Sequence, residues 1–90
     1  MKNQETNGDR AAALALSALG WTLGDGERAE RLLSLTGLDP QDLRTRLGDP
    51  AVLAAILRFL EGHEPDLIAC AEAIGESPAE LVEARRRLEG

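Results

Sequence analysis

Two soft metal ligands, His63 and Cys70, stand nearly alone in this 90-residue chain. They are seven residues apart and straddle an expected helix start. A structural zinc takes about four ligands, so this pair is half a site at best. The neighbouring carboxylates, Glu61, Glu64 and Asp66, lack the spacing of a calcium loop. No metal and no cofactor is expected. A nucleophile needs a base within hydrogen-bond reach, and the sequence points to no such pair. Cys70 falls on an apolar stripe with Leu67, Ala71 and Ile74, where a cysteine behaves as a small buried hydrophobe. The glycines are spread over helix ends and do not gather into a phosphate loop. The chain is therefore not expected to be an enzyme.

The basic residues suggest a different chemistry. Residues 69–88, ACAEAIGESPAELVEARRRL, have the outline of a bacterial helix-turn-helix: a helix, a glycine turn and a capped second helix. In that motif the start of the second helix touches bases in the major groove. Here that start carries Ala79, Glu80, Val82 and Glu83, and two carboxylates would meet phosphates. Arg85, Arg86 and Arg87 are the candidate nucleic-acid contacts, but they cluster at the far end, where they complement the helix dipole without any ligand. Net charge is −6, from 16 acidic and 10 basic residues, with an isoelectric point near 4.7. Non-specific binding to nucleic acid or anionic lipid needs the opposite sign. Nucleic-acid binding is thus the alternative reading, and binding of an unknown protein partner, or of a second copy, the favoured one.

Composition bounds the fold. Ninety residues make one domain near the lower end of the usual range. Apolar residues are 43% and aromatics 2%, only Trp21 and Phe59. A core of Leu, Ile, Val and Ala with few β-branched residues favours helices over sheet. A single cysteine excludes an internal disulfide and fits a reducing compartment. Residues 11–19, AAALALSAL, look like a signal-peptide core but lack its positive flank. No apolar run reaches the roughly 18–20 residues that span a bilayer. The expected location is the cytoplasm.

Punctuation then divides the chain into elements. Residues 1–8 are polar without an apolar anchor and read as a disordered tail, with a single helical domain over 9–90. Four prolines, at 40, 50, 65 and 78, each open an apolar-periodic stretch. Proline at the first helical position loses no hydrogen bond. Asp39, Asp49 and Ser77 precede three of them as caps; Glu64 is a poorer one. Ser77 with Glu80, and Asp39 with Asp42, have capping-box spacing, and Leu38 with Leu43 that of a hydrophobic staple. Glycines close most helices. The expected helices are about 10–23, 26–36, 40–47, 50–61, 65–74 and 78–89. The fold class is all-α, a compact bundle of five or six short helices.

The stretches TGLDPQDL (36–43) and IGESPAEL (74–81) share a frame 38 residues apart. The same shift superposes Leu19 on Leu57, Trp21 on Phe59, Gly24 on Gly62, Pro40 on Pro78 and Leu43 on Leu81. Two pseudo-repeated three-helix halves are expected, packed through the first and fourth helices. Two copies are too few for a solenoid.

Those two helices carry more apolar residues than one buried stripe needs. Residues 50–61, PAVLAAILRFLE, are apolar nearly all round and should be central. The first helix shows one stripe of Ala12, Leu16, Leu19 and Leu23 and a second of Leu14, Ala18 and Trp21. Ala13, Ser17, Gly20 and Gly24 form a line of small residues between them. The second stripe is the candidate interaction surface, for another protein or a second copy, because tryptophan is enriched at binding hot spots. Against that, Trp21 is expected to plug the core opposite Phe59.

From Arg31 to Leu88 the chain resembles a family of small, uncharacterised helical proteins of alphaproteobacteria, a domain of unknown function. LTGLDPQDLRTRL (35–47) and DPAVLAAILRFL (49–60) carry the resemblance, with helix five, the turn at 75–78 and ALSALGW (15–21). Val52 and Cys70 stand where such proteins carry more aromatic residues. The resemblance implies an all-helical fold, and no activity, cofactor or functional residue comes with it.

Overall fold

The polypeptide of the computed structural model forms six α-helices: α1 (Lys2–Leu23), α2 (Gly26–Thr36), α3 (Pro40–Thr45), α4 (Pro50–Glu61), α5 (Glu64–Ile74) and α6 (Pro78–Glu89). The structure describes the backbone of residues 2–90 and the side chains of residues 8–90. The tail expected over residues 1–8 lies, Gly8 apart, outside the residues described in full. Among the described residues there is no strand, and the chain is an all-α bundle.

Capping explains why the helices start where they do. Asp39 accepts from the Asp42 amide at 2.8 Å while its own amide donates to the Asp42 carboxylate at 3.1 Å. Ser77 and Glu80 repeat the reciprocal arrangement. Asp25 and Asp49 accept from the Arg28 and Ala51 amides at 3.1 and 2.9 Å. Each such cap satisfies an amide that the helix itself cannot pair. At α5 the cap is His63, not Glu64, and its side chain makes no capping bond. The helix starts one residue earlier than the proline pattern suggested. Helix α3 is shorter than expected and ends at Thr45.

Two turns demand glycine. Gly37 and Gly75 close α2 and α5 with φ of 75° and 77°. A side chain at either would be strained in this left-handed conformation. At the second, the Glu76 amide reaches back to the Ala71 carbonyl at 2.8 Å and closes the end of α5.

Helix α4 is the centre, as its all-round apolar sequence requires. Ile56, Leu57 and Leu60 are fully buried, and Val52, Leu53 and Phe59 nearly so. It packs against α1, α2, α5 and α6. Helix α1 contributes Ala11, Leu14, Ala15, Ala18 and Leu19 to the same core. Thr22 is the buried polar exception; its hydroxyl donates to the Ala18 carbonyl one turn back, at 2.8 Å. The Cα radius of gyration, 12.3 Å, is about that of a compact domain of this length.

The pseudo-repeat is half realised. Under the 38-residue shift α1 exchanges with α4 and α2 with α5. The packing of α1 on α5 matches that of α4 on α2, and α1 on α2 matches α4 on α5. Buried Leu32 and Thr22 superpose on buried Cys70 and Leu60. The third helices break the relation. Helix α6 lies against both α1 and α4, whereas α3 packs against no other helix to a comparable extent among the described residues. Six residues cannot cover the surface that twelve do. Two equivalent three-helix halves therefore do not form.

Candidate functional site

The outer face of α4 is left open between α2 and α6. On this face Ala51 is exposed, Ala55 half-buried, Arg58 exposed, and the capping Gly62 exposed. A hollow of about 470 Å³ lies over the end of this face, floored by Ala55 and Phe59 and walled by Leu35 and Thr36 of α2. Leu35 is 75% exposed, the most exposed large apolar side chain of those described. Arg31, Arg58 and His63 complete the lining, and no carboxylate belongs to it. A second hollow of about 320 Å³ shares Ala55 and Arg58 and runs past Ala51 and Ala54 to Leu88 and the Glu89 carboxylate. Together they make one trough along α4, from Leu88 to Leu35.

The arginines are held but not used up. Arg31 donates to Asp66 at 3.1 Å through one terminal nitrogen, and Asp66 also receives His63 Nδ1 at 3.1 Å. Arg58 reaches Glu89 through Nε. A guanidinium carries five N–H donors, so each retains donors that have no partner among the described residues. The tie to Arg58, with a second from Arg85, holds the Glu89 carboxyl below the usual carboxylate range.

The sequence candidates fall elsewhere. Leu14 and Ala18, expected on an outward interaction face, are buried. Helix α6 occupies that side of α1: Ala11 and Leu14 face Ala84, and Arg10 bridges to Glu76 and Glu80 at 3.1 and 3.2 Å. Trp21 is half-buried and packs on the edge of the core. The Arg28 guanidinium covers its ring at 3.7 Å and donates to its carbonyl at 2.7 Å, closing the end of α1. Leu16 and Leu23 are the exposed apolar residues of α1 instead.

The three arginines of α6 do not assemble a cationic face. Arg85 turns back to chelate Glu61 at 2.8 and 3.0 Å and meets Glu89 at 2.9 Å. Those contacts push its already high pKa further up. Arg86 and Arg87 both neighbour Glu83. In the first copy, Arg46 sits between Asp42 and Asp49. At the start of α6, where a recognition helix would meet bases, Glu76 and Glu80 share contacts with Arg10. The hydrogen bond between these two carboxyls raises the pKa of Glu76 and lowers that of Glu80.

His63 and Cys70 do not converge. His63 is exposed at the start of α5, and Cys70 is buried one face away. Burial pushes the Cys70 thiol up to about 11, with Arg28 pulling slightly against it. Among the described residues no group of three or more His, Cys, Asp or Glu side chains could hold a metal ion. Among the described residues no helix is long and apolar enough to cross a membrane.

A family model described as Protein of unknown function (DUF3572) matches residues 8–90. The chain belongs to that family. Comparison with curated proteins and with solved structures gives no match. Membership brings no functional residues, so the trough stands on its own geometry. In α2, Ala29, Leu32, Leu33 and Thr36 share one face, and Leu35 lies off it. On a helical wheel Leu35 lies about 60° from Leu32, on the side away from Leu33. That displaced leucine, one turn from Arg31, was the available signal.

Proposed function

We propose that the chain is a non-enzymatic protein-interaction module of the cytoplasm, and that the trough on α4 receives the partner. The supporting observation is Leu35: a leucine 75% exposed at the edge of a concave apolar surface. Single exposed leucines are ordinary on protein surfaces. One that walls a hollow floored by Phe59 and Ala55 is not isolated, and a partner side chain seated there would bury several apolar groups at once. Burying one such side chain contributes about 1.5–3 kcal/mol. The rim of arginines with an apolar centre has the anatomy of a binding surface, where arginine and aromatic residues are enriched. A buried, free cysteine is at home in a reducing compartment.

The helix-turn-helix reading gains nothing from the side chains, since Arg85 faces Glu61 and acidic groups separate the remaining arginines. Self-association through the trough would oppose two sets of arginines and two chains of net charge −6.

The test is a matched capture from the native cell lysate, after nuclease, with the wild type and with Leu35→Asp as baits. A discrete protein retained by the wild type and lost by Leu35→Asp is expected. Partners retained equally by both baits, or recovered only with nucleic acid, would count against the proposal.

A further inference from the structure

We propose that the partner element seated in the trough is an acidic amphipathic helix, with leucine-like anchors on one face and carboxylates beside them. The inference rests on the docking reading and adds the chemistry of the occupant.

Three observations select it. The first is shape. The open face of α4 runs from Ala51 to Gly62, about 16 Å at the rise of an α-helix. Its two adjoining hollows share Ala55 and Arg58. An elongated trough fits about three turns of helix better than a compact small molecule, and docking of an amphipathic helix into an apolar groove is a recurrent mode. Ala51 and Ala55 let a second backbone come close, and Arg58, next on the same stripe, reaches aside to Glu89.

The second is charge. Acidic residues outnumber basic ones 16 to 10 in this chain. Yet the larger hollow is lined by Arg31, Arg58 and His63 and by no carboxylate, and the carboxylate of the adjoining hollow, Glu89, is already tied to Arg58 and Arg85. A local cationic rim on an acidic protein selects an anionic neighbour at contact range. Beyond about 8 Å at physiological ionic strength, the overall repulsion is screened.

The third is hydrogen-bonding capacity. Arg31, from α2, and Arg58, from α4, each contact one carboxylate through one nitrogen. Their remaining N–H groups can form forks with further carboxylates, the geometry in which arginine binds best. Asp66 and Glu89 hold both side chains in place beforehand, so less side-chain freedom is lost on binding. A second copy of this chain would bring arginines to arginines and is disfavoured.

The probe is a capped, 14-residue helix-forming peptide with leucine at positions i, i+4 and i+7 and glutamate beside them. Two matched peptides carry glutamine or lysine in place of glutamate. Each is titrated into the full ¹⁵N-labelled chain. The glutamate peptide is expected to shift the amide signals of Leu35, Ala55 and Gly62. It should bind about tenfold tighter than the glutamine peptide, the scale of a pair of charge contacts. Arg31→Gln with Arg58→Gln should erase that preference while Leu35→Asp abolishes binding of both. Equal binding of the glutamine peptide, or tighter binding of the lysine peptide, would overturn the acidic partner and leave the docking reading standing. So would movement of the same signals on dilution of the chain alone, which would make a second copy the occupant. If none of the peptides moves those signals, the helix-in-groove inference fails, and the matched capture decides the docking reading separately.

Discussion

Cys70 shows how far a single residue can be understood from its place on a stripe. Its spacing from Leu67, Ala71 and Ile74 put it in the core, and it is fully buried there. The thiol should resist a water-soluble disulfide reagent at pH 8 in the folded chain and react at the rate of unfolding; rapid, stoichiometric labelling of native protein would contradict this. The pH dependence follows with a definite sign. The thiol ionises at its ordinary 9.0 when unfolded and at about 11 when folded. The folded state therefore keeps the proton longer. Its contribution is fully present below pH 9 and is lost as pH rises toward 11. Urea midpoints should fall over that window, and fall less steeply in Cys70→Ala. The partners of individual charges were less legible. Arg85 to Arg87 form one run in the sequence, but α6 turns Arg85 toward Glu61 of α4, leaves Arg86 exposed and sets Arg87 beside α1. Helical rotation of 100° per residue separates neighbours that the sequence writes together.

At the scale of elements, capping chemistry was the readable part. Proline, glycine and the Asp and Ser caps act within four residues, so they do not depend on the tertiary fold. The boundaries of α2, α4 and α6 follow from them directly. Helix α3 is the exception: its cap is intact, but its short length could not be inferred, because it depends on what the helix packs against. The two capping boxes make this testable. Ser77→Ala removes the hydroxyl that accepts from the Glu80 amide at 3.2 Å, on a helix docked against α1 and α4. It should lower global stability by about 1 kcal/mol in urea denaturation. Asp39→Ala removes the equivalent acceptor from α3. It should cost the whole molecule less and instead speed hydrogen exchange of the amides from Asp42 to Arg46. Equal global losses would mean that α3 is as firmly built in as α6. The candidate interaction stripe of α1 failed at this same scale. Leu14, Ala18 and Trp21 do share a face, as spacing indicated, but Leu14 lies against α6 and Ala18 is buried in the core. Spacing tells which residues share a face, and only packing tells which face is left over.

For the whole molecule, composition and the apolar surround of α4 were enough to place the central helix and the all-α class. The 38-residue relation survives in the packing of α1, α2, α4 and α5 and ends at α3 and α6, of six and twelve residues. That mismatch, with the displaced Leu35, leaves the trough on α4 uncovered. The fold and the trough should respond to different substitutions. Leu57→Ala, in the fully buried centre, should cost about 2–5 kcal/mol. Leu35→Asp should change stability by no more than about 0.5 kcal/mol, because its side chain is already in water. A large loss at Leu35 would mean that it supports the bundle and is no free docking residue. The central claim is that the trough meets a partner, and site-specific photo-crosslinking inside the native cell tests it most directly. A photoreactive phenylalanine analogue is placed at Leu35 in one variant and at Ile68, an exposed apolar residue of α5, in another. A discrete adduct from position 35 and none from position 68 is the predicted result. No adduct from position 35, or the same adduct from both, would contradict the claim.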